Sequence, residues 1–166
     1  MRLTIAFVAA VLAPTCALVL WYLYGQFAIF ESNDPYIWVR TRGFLLICLA
    51  ISGAHVIALG IPAYLLLRWR HALYWWSALL SGFVLGAIPA AAFSWPLRYA
   101  DSGSSSSFNG VATMIDGVPT SAGWLQYLGG VTFFGACGVL AAAAFWVIRS
   151  MSPNNSFKPK PLRGSA

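Results

Sequence analysis

The sequence predicts an all-α membrane protein, a four-transmembrane-helix bundle in a single domain. The 166 residues are 60% hydrophobic and only 8% charged, whereas soluble domains carry roughly 25% charged residues. The charged residues all lie outside four long apolar stretches. Each stretch is long enough to cross a hydrocarbon core about 30 Å thick, which needs roughly 20 helical residues. Aromatic residues gather near the ends of these stretches, as they do at membrane–water interfaces.

The transmembrane domain is predicted for residues 1–149, with spans at about 3–30, 43–67, 73–97 and 124–148. The first span begins after a single basic residue, as a signal peptide would. The apolar region of a signal peptide is only about 7–15 residues long, whereas this stretch continues through Trp21 and Tyr24. We therefore expect an uncleaved transmembrane helix.

Turn-forming residues separate the predicted spans. Asn33-Asp34-Pro35 predicts a turn in the first connection, because Asn and Asp bond their own backbone and Pro fixes φ. The tight connection at residues 68–71 predicts an antiparallel hairpin of the second and third spans. The segment 98–123 is longer. Its serine run is typical of a flexible linker, and apolar residues around Asp116-Gly117 predict a small hairpin or a surface turn.

The positive charges predict that both termini lie in the cytoplasm. Segments on one side of the bundle carry Arg2, Arg68, Arg70, Arg149, Lys158, Lys160 and Arg163. Segments on the opposite side carry only Arg40, Arg42 and Arg98. Because cytoplasmic segments are enriched in Lys and Arg, we expect an N-in/C-in topology with an extracytoplasmic loop at 98–123. Residues 150–166 lack a core-forming pattern and are expected to be a disordered cytoplasmic tail.

His55 is the first candidate for a functional residue, because it lies about halfway along the second predicted span. An ionisable side chain at that depth is a functional-site hypothesis by default. Helical spacing places Ser52, His55 and Pro62 on one face. Two interpretations are open. The histidine relays protons or binds a ligand or metal, or it is a neutral imidazole bonded across helices to a hydroxyl or to a carbonyl freed by a nearby proline.

Small residues recur every four positions along the third predicted span, where Gly82 and Gly86 form a GxxxG pair. Such a ridge lets two helix backbones approach closely within a membrane. The pattern predicts packing within the monomer. The alternative is a contact with a second copy of the chain or with another membrane protein.

No motif for catalysis, metal binding or cofactor binding stands out, so we expect a non-enzymatic protein with no cofactor. Asp101 and Asp116 lack a partner histidine or a metal-binding set in the loop sequence. A bis-histidine haem needs two histidines at similar depth, which His55 and His71 do not provide. The net charge of +6 follows the membrane topology and forms no basic patch, so we expect no nucleic acid partner.

Three stretches, 54–64, 75–89 and 116–125, together resemble small uncharacterised four-span proteins of the bacterial inner membrane. The resemblance covers roughly residues 43–148 and includes His55, the Gly82–Gly86 pair and Asp116. It implies a multi-pass protein of the bacterial inner (cytoplasmic) membrane and implies no activity. The ending, 154–166, resembles a tail found on otherwise unrelated bacterial proteins.

These observations favour a non-enzymatic accessory or interaction protein. Its expected partners are the lipid bilayer and a second copy of the chain or another membrane protein. A small transporter or permeation protein that uses His55 is the alternative. A redox or haem protein that uses His55 is the third interpretation.

Overall fold

The structure, a computed structural model, describes residues 2–30 and 34–151, and their side chains except those of residues 99, 101 and 102. Its helices are α1 (Arg2–Ile29), α2 (Tyr36–His55), a π-helical turn (Val56–Gly60), α3 (Ile61–Trp69), α4 (Trp75–Phe93), a 3-10 helix (Pro96–Ser102) and α5 (Ser121–Ser150). The predicted tail beyond residue 151 lies outside the described residues.

Within the described residues, four helical segments of 28, 34, 24 and 30 residues are long and apolar enough to cross a membrane. They confirm the prediction of four helices that are long and apolar enough to span a membrane. Span 1 is α1, span 2 runs from α2 through the π turn to α3, span 3 contains α4, and span 4 is α5. We name the two ends of the bundle by what they carry. The terminal end holds the 70–74 connection and the start of α1, and the sheet end holds the 94–120 segment.

Span 2 begins at Tyr36, well before the predicted start near residue 43. The prediction excluded Arg40 and Arg42 from the hydrocarbon region, but both belong to the first turns of α2. Arg40 forms an ion pair of 3.7 Å with Asp34, and its guanidinium lies 4.5 Å from the centre of the Phe30 ring. Long basic side chains at a helix end reach the interface in this way while their stems cover apolar surface.

The π turn interrupts span 2 immediately before Pro62. Proline has no N–H to donate to the carbonyl four residues earlier, which is Ala58, and a π turn is one way in which a helix absorbs that loss. Because the wider turn shifts every later residue around the axis, His55 and Pro62 do not share a face. Pro62 is exposed on the outside of the bundle. The prediction that placed Pro62 on the same face as Ser52 and His55 is therefore wrong.

Span 4 is the centre of the bundle, because it packs along both span 3 and span 1, and span 1 packs in turn against span 2. Contacts between span 2 and span 3 are concentrated at the π turn. Buried Ala6, Ala10 and Phe145 form a core near the terminal end, with Phe7 and Tyr64 packed against it. The helices of the bundle are therefore closely packed around span 4, whereas spans 2 and 3 are in contact over only a short length.

The glycine ridge lies between spans 3 and 4. A Cβ atom added at Gly86 would overlap the carbonyl oxygen of Phe134, and one added at Gly138 would overlap that of Gly82. Small residues thus allow the two backbones to touch, which is how membrane helices pack without a hydrophobic driving force. The prediction that the Gly82–Gly86 pair packs within the monomer is confirmed.

A three-stranded antiparallel sheet lies between spans 3 and 4, with strands β1 (Ser106–Phe108), β2 (Val111–Ile115) and β3 (Val118–Pro119). The hairpin around Asp116-Gly117 is confirmed by the pairing of β2 with β3. The structure is mostly helical, as predicted, and this small sheet is its departure from an all-α fold. The prediction of a flexible serine linker is wrong at Ser106 and Ser107, which pair with β2 and follow a 3-10 helix.

Both turns of the sheet have positive φ at their two central residues, 50° and 77° at Asn109-Gly110 and 49° and 81° at Asp116-Gly117. This is the type I′ geometry that fits the twist of two-residue hairpins. Thr120 attaches the sheet to α5. Its hydroxyl donates to Ala112 O at 2.7 Å and accepts from the N–H of Gly123 at 3.2 Å.

Candidate functional site

A cavity of about 1500 Å³ runs between the spans and is lined by residues of all four spans and of the sheet. On span 1 its lining extends from Phe7 to Ile29, and on span 4 it extends from Gly123 to Trp146. At 1.5 Å per residue each of these stretches is about 30 Å long, which is the thickness of the hydrocarbon core. Sites for drug-sized molecules measure roughly 300–1000 Å³. The cavity is therefore longer and larger than such sites.

Packing around the cavity is weakest between spans 2 and 3, which touch mainly at the π turn, so we infer that the cavity opens sideways there. His55 and Leu59 line it from span 2, and Leu85 and Pro89 line it from span 3. In a membrane this opening faces lipid, not water. We call the cavity and its opening the lateral cleft.

His55 lies at the middle of the lateral cleft. Its Nε2 donates to the backbone oxygen of Leu85 at 3.1 Å, since a carbonyl can only accept. Leu85 stands four residues before Pro89, so its carbonyl lacks the intrahelical donor that any other residue at position 89 would supply. The structure thus contains the hydrogen bond of the packing interpretation, to a carbonyl freed by a proline. The half-buried imidazole also lines the cleft.

Ser52 lies about one turn before His55 and contacts span 1. Its Oγ is 3.3 Å from Oγ1 of Thr15, and Thr15 is fully buried and also donates to Val11 O at 2.8 Å. Thr15 was missed in the sequence, although a threonine directly after Pro14 in the first span is a signal of an internal polar contact. Ser52 and His55 therefore stand together on the cleft wall, each with a partner on a neighbouring span.

The six candidate residues are only partly brought together. Ser52, His55, Gly82 and Gly86 line the lateral cleft. Pro62 is exposed outside it. Asp116 is the first central residue of the β2–β3 turn and is exposed at the sheet end, where its positive φ explains its residue type.

Arg149 is a residue that the sequence analysis counted only as a topology signal. It is half-buried in the last turn of span 4, with its guanidinium 5.4 Å from the Tyr64 ring centre and 6.0 Å from that of Trp146. Both rings line the lateral cleft. Its Nη1 is shielded from solvent and has no hydrogen-bond partner among the described residues.

At the opposite end the cleft is lined by Tyr127 and by residues of the sheet, and Tyr127 packs in an aromatic cluster. Trp95, Trp124 and Tyr127 meet edge to face, with ring centres 5.7–5.8 Å apart. The hydroxyl of Tyr127 donates to Ala91 O at 3.3 Å. Gln26 lines this end, and its Oε1 is buried with no hydrogen-bond partner among the described residues.

Among residues 2–30 and 34–151, no three His, Cys, Asp or Glu side chains stand close enough together to hold a metal ion. The cysteines Cys16, Cys48 and Cys137 are free thiols within spans 1, 2 and 4. Comparisons of the chain with protein-family models, with curated proteins and with solved structures find no match.

Proposed function

We propose that the protein is a non-enzymatic accessory protein of the bacterial inner membrane that takes up an elongated apolar molecule from the bilayer. The lateral cleft is the observation that supports this function. It extends across the bundle, its walls are mainly apolar side chains, and its opening between spans 2 and 3 faces the lipid. A lipid or a lipid-like molecule enters such a site sideways without leaving the hydrocarbon.

Physical chemistry also favours an occupied cleft. Side chains that border an empty space lose their dispersion contacts on that side. Lipid chains in the bilayer are already in surroundings as apolar as the cleft wall. The hydrophobic effect therefore supplies little preference for a chain inside the cleft over a chain in the bilayer. Selectivity must therefore come from the shape of the cleft and from its few polar groups, such as Ser52, His55 and Gln26.

We also propose an orientation of the protein in the membrane and a limit on where a protein partner can bind. The distribution of Lys and Arg favours N-in/C-in, with the sheet outside the cytoplasm. A membrane-protein partner or a second copy would need a surface other than the Gly82–Gly86 pair, because span 4 already occupies that ridge.

A matched pair of glycine substitutions tests the proposal. Gly129 and Gly130 are neighbours in span 4, and a Cβ at either position meets nothing within 4 Å. Gly130 lines the cleft, whereas Gly129 is exposed on the lipid side. Gly130→Phe therefore fills the cleft, and Gly129→Phe adds the same side chain outside it.

The measurement is covalent labelling of the full chain in vesicles that contain phosphatidylcholine with a photoactivatable acyl chain. We expect label on cleft-lining peptides of spans 2 and 3, a several-fold loss with Gly130→Phe, and no loss with Gly129→Phe. Gly25 also lines the cleft with open space around it, so Gly25→Phe provides a second blocking variant. Equal labelling of all variants would show that lipid does not use the cleft.

A small transporter or permeation protein is the second candidate, because His55 lines the cleft at mid-membrane depth. Its test is proton flux into proteoliposomes, followed with an enclosed pH-sensitive dye. If His55 is in a proton path, His55→Ala should abolish a flux that the unsubstituted protein shows. Absence of flux, or flux that is unaffected by the substitution, removes this candidate.

A further inference from the structure

We propose that Arg149 makes the terminal end of the lateral cleft a headgroup site for an anionic phospholipid of the bilayer. The lipid phosphate binds the guanidinium, and the acyl chains extend into the cleft. The inference rests on the proposed uptake of an apolar molecule and adds the chemistry of that molecule.

The first support is the position of the guanidinium. Arg149 stands over the rings of Tyr64 and Trp146, which line the cleft, so its charge lies beside the cavity and not in the open. The ring centres of Phe7 and Phe145 lie 5.7 and 5.5 Å from that of Tyr64 and 5.0 Å from each other, and this packing holds the Tyr64 ring in place. The rings form an apolar part of the cleft wall, so lipid chains in contact with them lie next to a positive charge.

The second support is an unmet hydrogen bond. Nη1 of Arg149 is shielded from solvent and has no acceptor among the described residues. A buried donor without an acceptor is unfavourable, and more so when it carries a charge. A guanidinium also matches phosphate in shape, because two parallel N–H groups can bind two phosphate oxygens.

The third support is the charge of this end of the bundle. The described charged side chains of the terminal end are all positive: Arg2, Arg68, Arg70 and Arg149. Those of the sheet end have both signs and offset one another: Asp34 and Asp116 with Arg40, Arg42 and Arg98. A net negative lipid is therefore attracted to the terminal end, and a zwitterionic lipid is attracted much less. Basic pockets between transmembrane helices are a recurrent site for anionic headgroups.

The test is native mass spectrometry of the full chain in detergent, titrated with phosphatidylglycerol or with phosphatidylcholine of the same acyl chains. We expect phosphatidylglycerol to bind about tenfold more tightly, the size of one charged hydrogen bond. Arg149→Gln should remove that preference. Arg149→Lys should keep part of the preference, because lysine retains the charge but lacks the two parallel N–H groups of the guanidinium. Excess inorganic phosphate should not displace the lipid.

Arg70→Gln is the matched control. Arg70 is also an arginine of the terminal end that stacks on a tryptophan, 5.6 Å from the Trp69 ring centre. Unlike Arg149 it is exposed, and the ring beneath it does not line the cleft. It should leave the preference unchanged. If it acts like Arg149→Gln, the effect is general surface charge and the headgroup site is wrong.

The remaining outcomes separate this inference from the proposed function. Equal binding of the two lipids to the unsubstituted chain, with loss of both in Gly130→Phe, overturns the headgroup site and keeps the cleft function. Binding of neither lipid overturns the cleft function as well. Because the ratio of the two lipids is measured on the unsubstituted chain, the test does not depend on the stability of the Arg149 variants.

Discussion

Three polar side chains inside the spans donate to backbone carbonyls, either on a neighbouring span or one turn earlier in their own helix. His55 donates to Leu85 O, Tyr127 to Ala91 O, and Thr15 to Val11 O. A polar group without a hydrogen bond is unfavourable in hydrocarbon, because no water is present to bind it. Each of these bonds avoids that cost. Nη1 of Arg149 has no acceptor, and Oε1 of Gln26 has no donor, among the described residues. A molecule bound in the cleft is therefore expected to form hydrogen bonds with these two atoms.

The His55–Leu85 hydrogen bond should depend on Pro89. In the native chain His55→Leu removes the hydrogen bond to the Leu85 carbonyl. This should destabilise the protein by about 0.5–1.5 kcal/mol, the usual order for such bonds. Pro89→Ala supplies an N–H that can bond Leu85 O within the helix. In that background the cost of His55→Leu should be much smaller. The four proteins form a double-mutant cycle, measured by unfolding in increasing dodecyl sulfate.

The same cycle contains its control. An equal cost of His55→Leu with Pro89 and with Ala at position 89 would mean that the histidine stabilises the bundle through packing alone. A cost that disappears in the Pro89→Ala background assigns the hydrogen bond to the proline-freed carbonyl.

Asp116 is expected to act through its backbone conformation and not through its carboxylate. Its φ of 49° is tolerated by Asn and Gly, whereas left-handed geometry costs a β-branched residue about 1–2 kcal/mol or more. Asp116→Asn should therefore keep the hairpin, and Asp116→Val should open it. Hydrogen exchange of the Gly117 amide, which donates to Ser104 O at 2.8 Å, reports the difference. Fast exchange in Asp116→Asn as well would indicate a role for the charge.

Between elements, small residues determine which helices touch. Spans 3 and 4 approach until the backbones of Gly82, Gly86 and Gly138 are in contact. Spans 2 and 3, by contrast, meet mainly at the π turn. The cleft therefore exists because close packing is confined to one side of span 3.

Two glycines of span 4 should respond to alanine with opposite signs. A Cβ at Gly138 overlaps the backbone oxygen of Gly82, so Gly138→Ala should destabilise the bundle by about 1–3 kcal/mol. A Cβ at Gly129 meets nothing within 4 Å. Gly129→Ala should be neutral or stabilising by up to about 1 kcal/mol, since alanine is the better helix former. Unfolding in dodecyl sulfate measures both, and a similar cost for the two variants would contradict the close contact.

The elements differ in how far the sequence determines them. The spans follow from the exclusion of charge, which is a local property, and the Asp116-Gly117 hairpin follows from turn chemistry. Asn109-Gly110 between Phe108 and Val111 carried the same turn signal for the second hairpin and was overlooked. The π turn was not predictable, because Pro14 and Pro89 leave their helices regular and only Pro62 has a π turn before it.

For the whole molecule, the candidate site was predicted only in part. Depth along a span identified His55, since an ionisable group at mid-membrane stands out in an apolar sequence, and helical spacing from His55 identified Ser52. The lateral cleft depends on how closely spans 2 and 3 pack along their length. The hydrophobic periodicity of the sequence does not predict how two helices pack against each other. Arg149 was treated as a topology signal because it lies at a span boundary. Its orientation toward Tyr64 and Trp146 is a tertiary property.

The topology of the whole chain is tested with two exposed residues at opposite ends of the bundle. Ser107 lies in β1 at the sheet end, and Met151 follows α5 at the terminal end. The native cysteines all lie within spans, so labelling of Ser107→Cys and Met151→Cys is read against a low background. In whole bacterial cells made permeable only at the outer membrane, an impermeant maleimide should label Ser107→Cys alone. Met151→Cys should react only after the inner membrane is opened, because the positive side stays in the cytoplasm. The reverse pattern would invert the orientation, and labelling of both cysteines from one side would contradict a bundle of four spans.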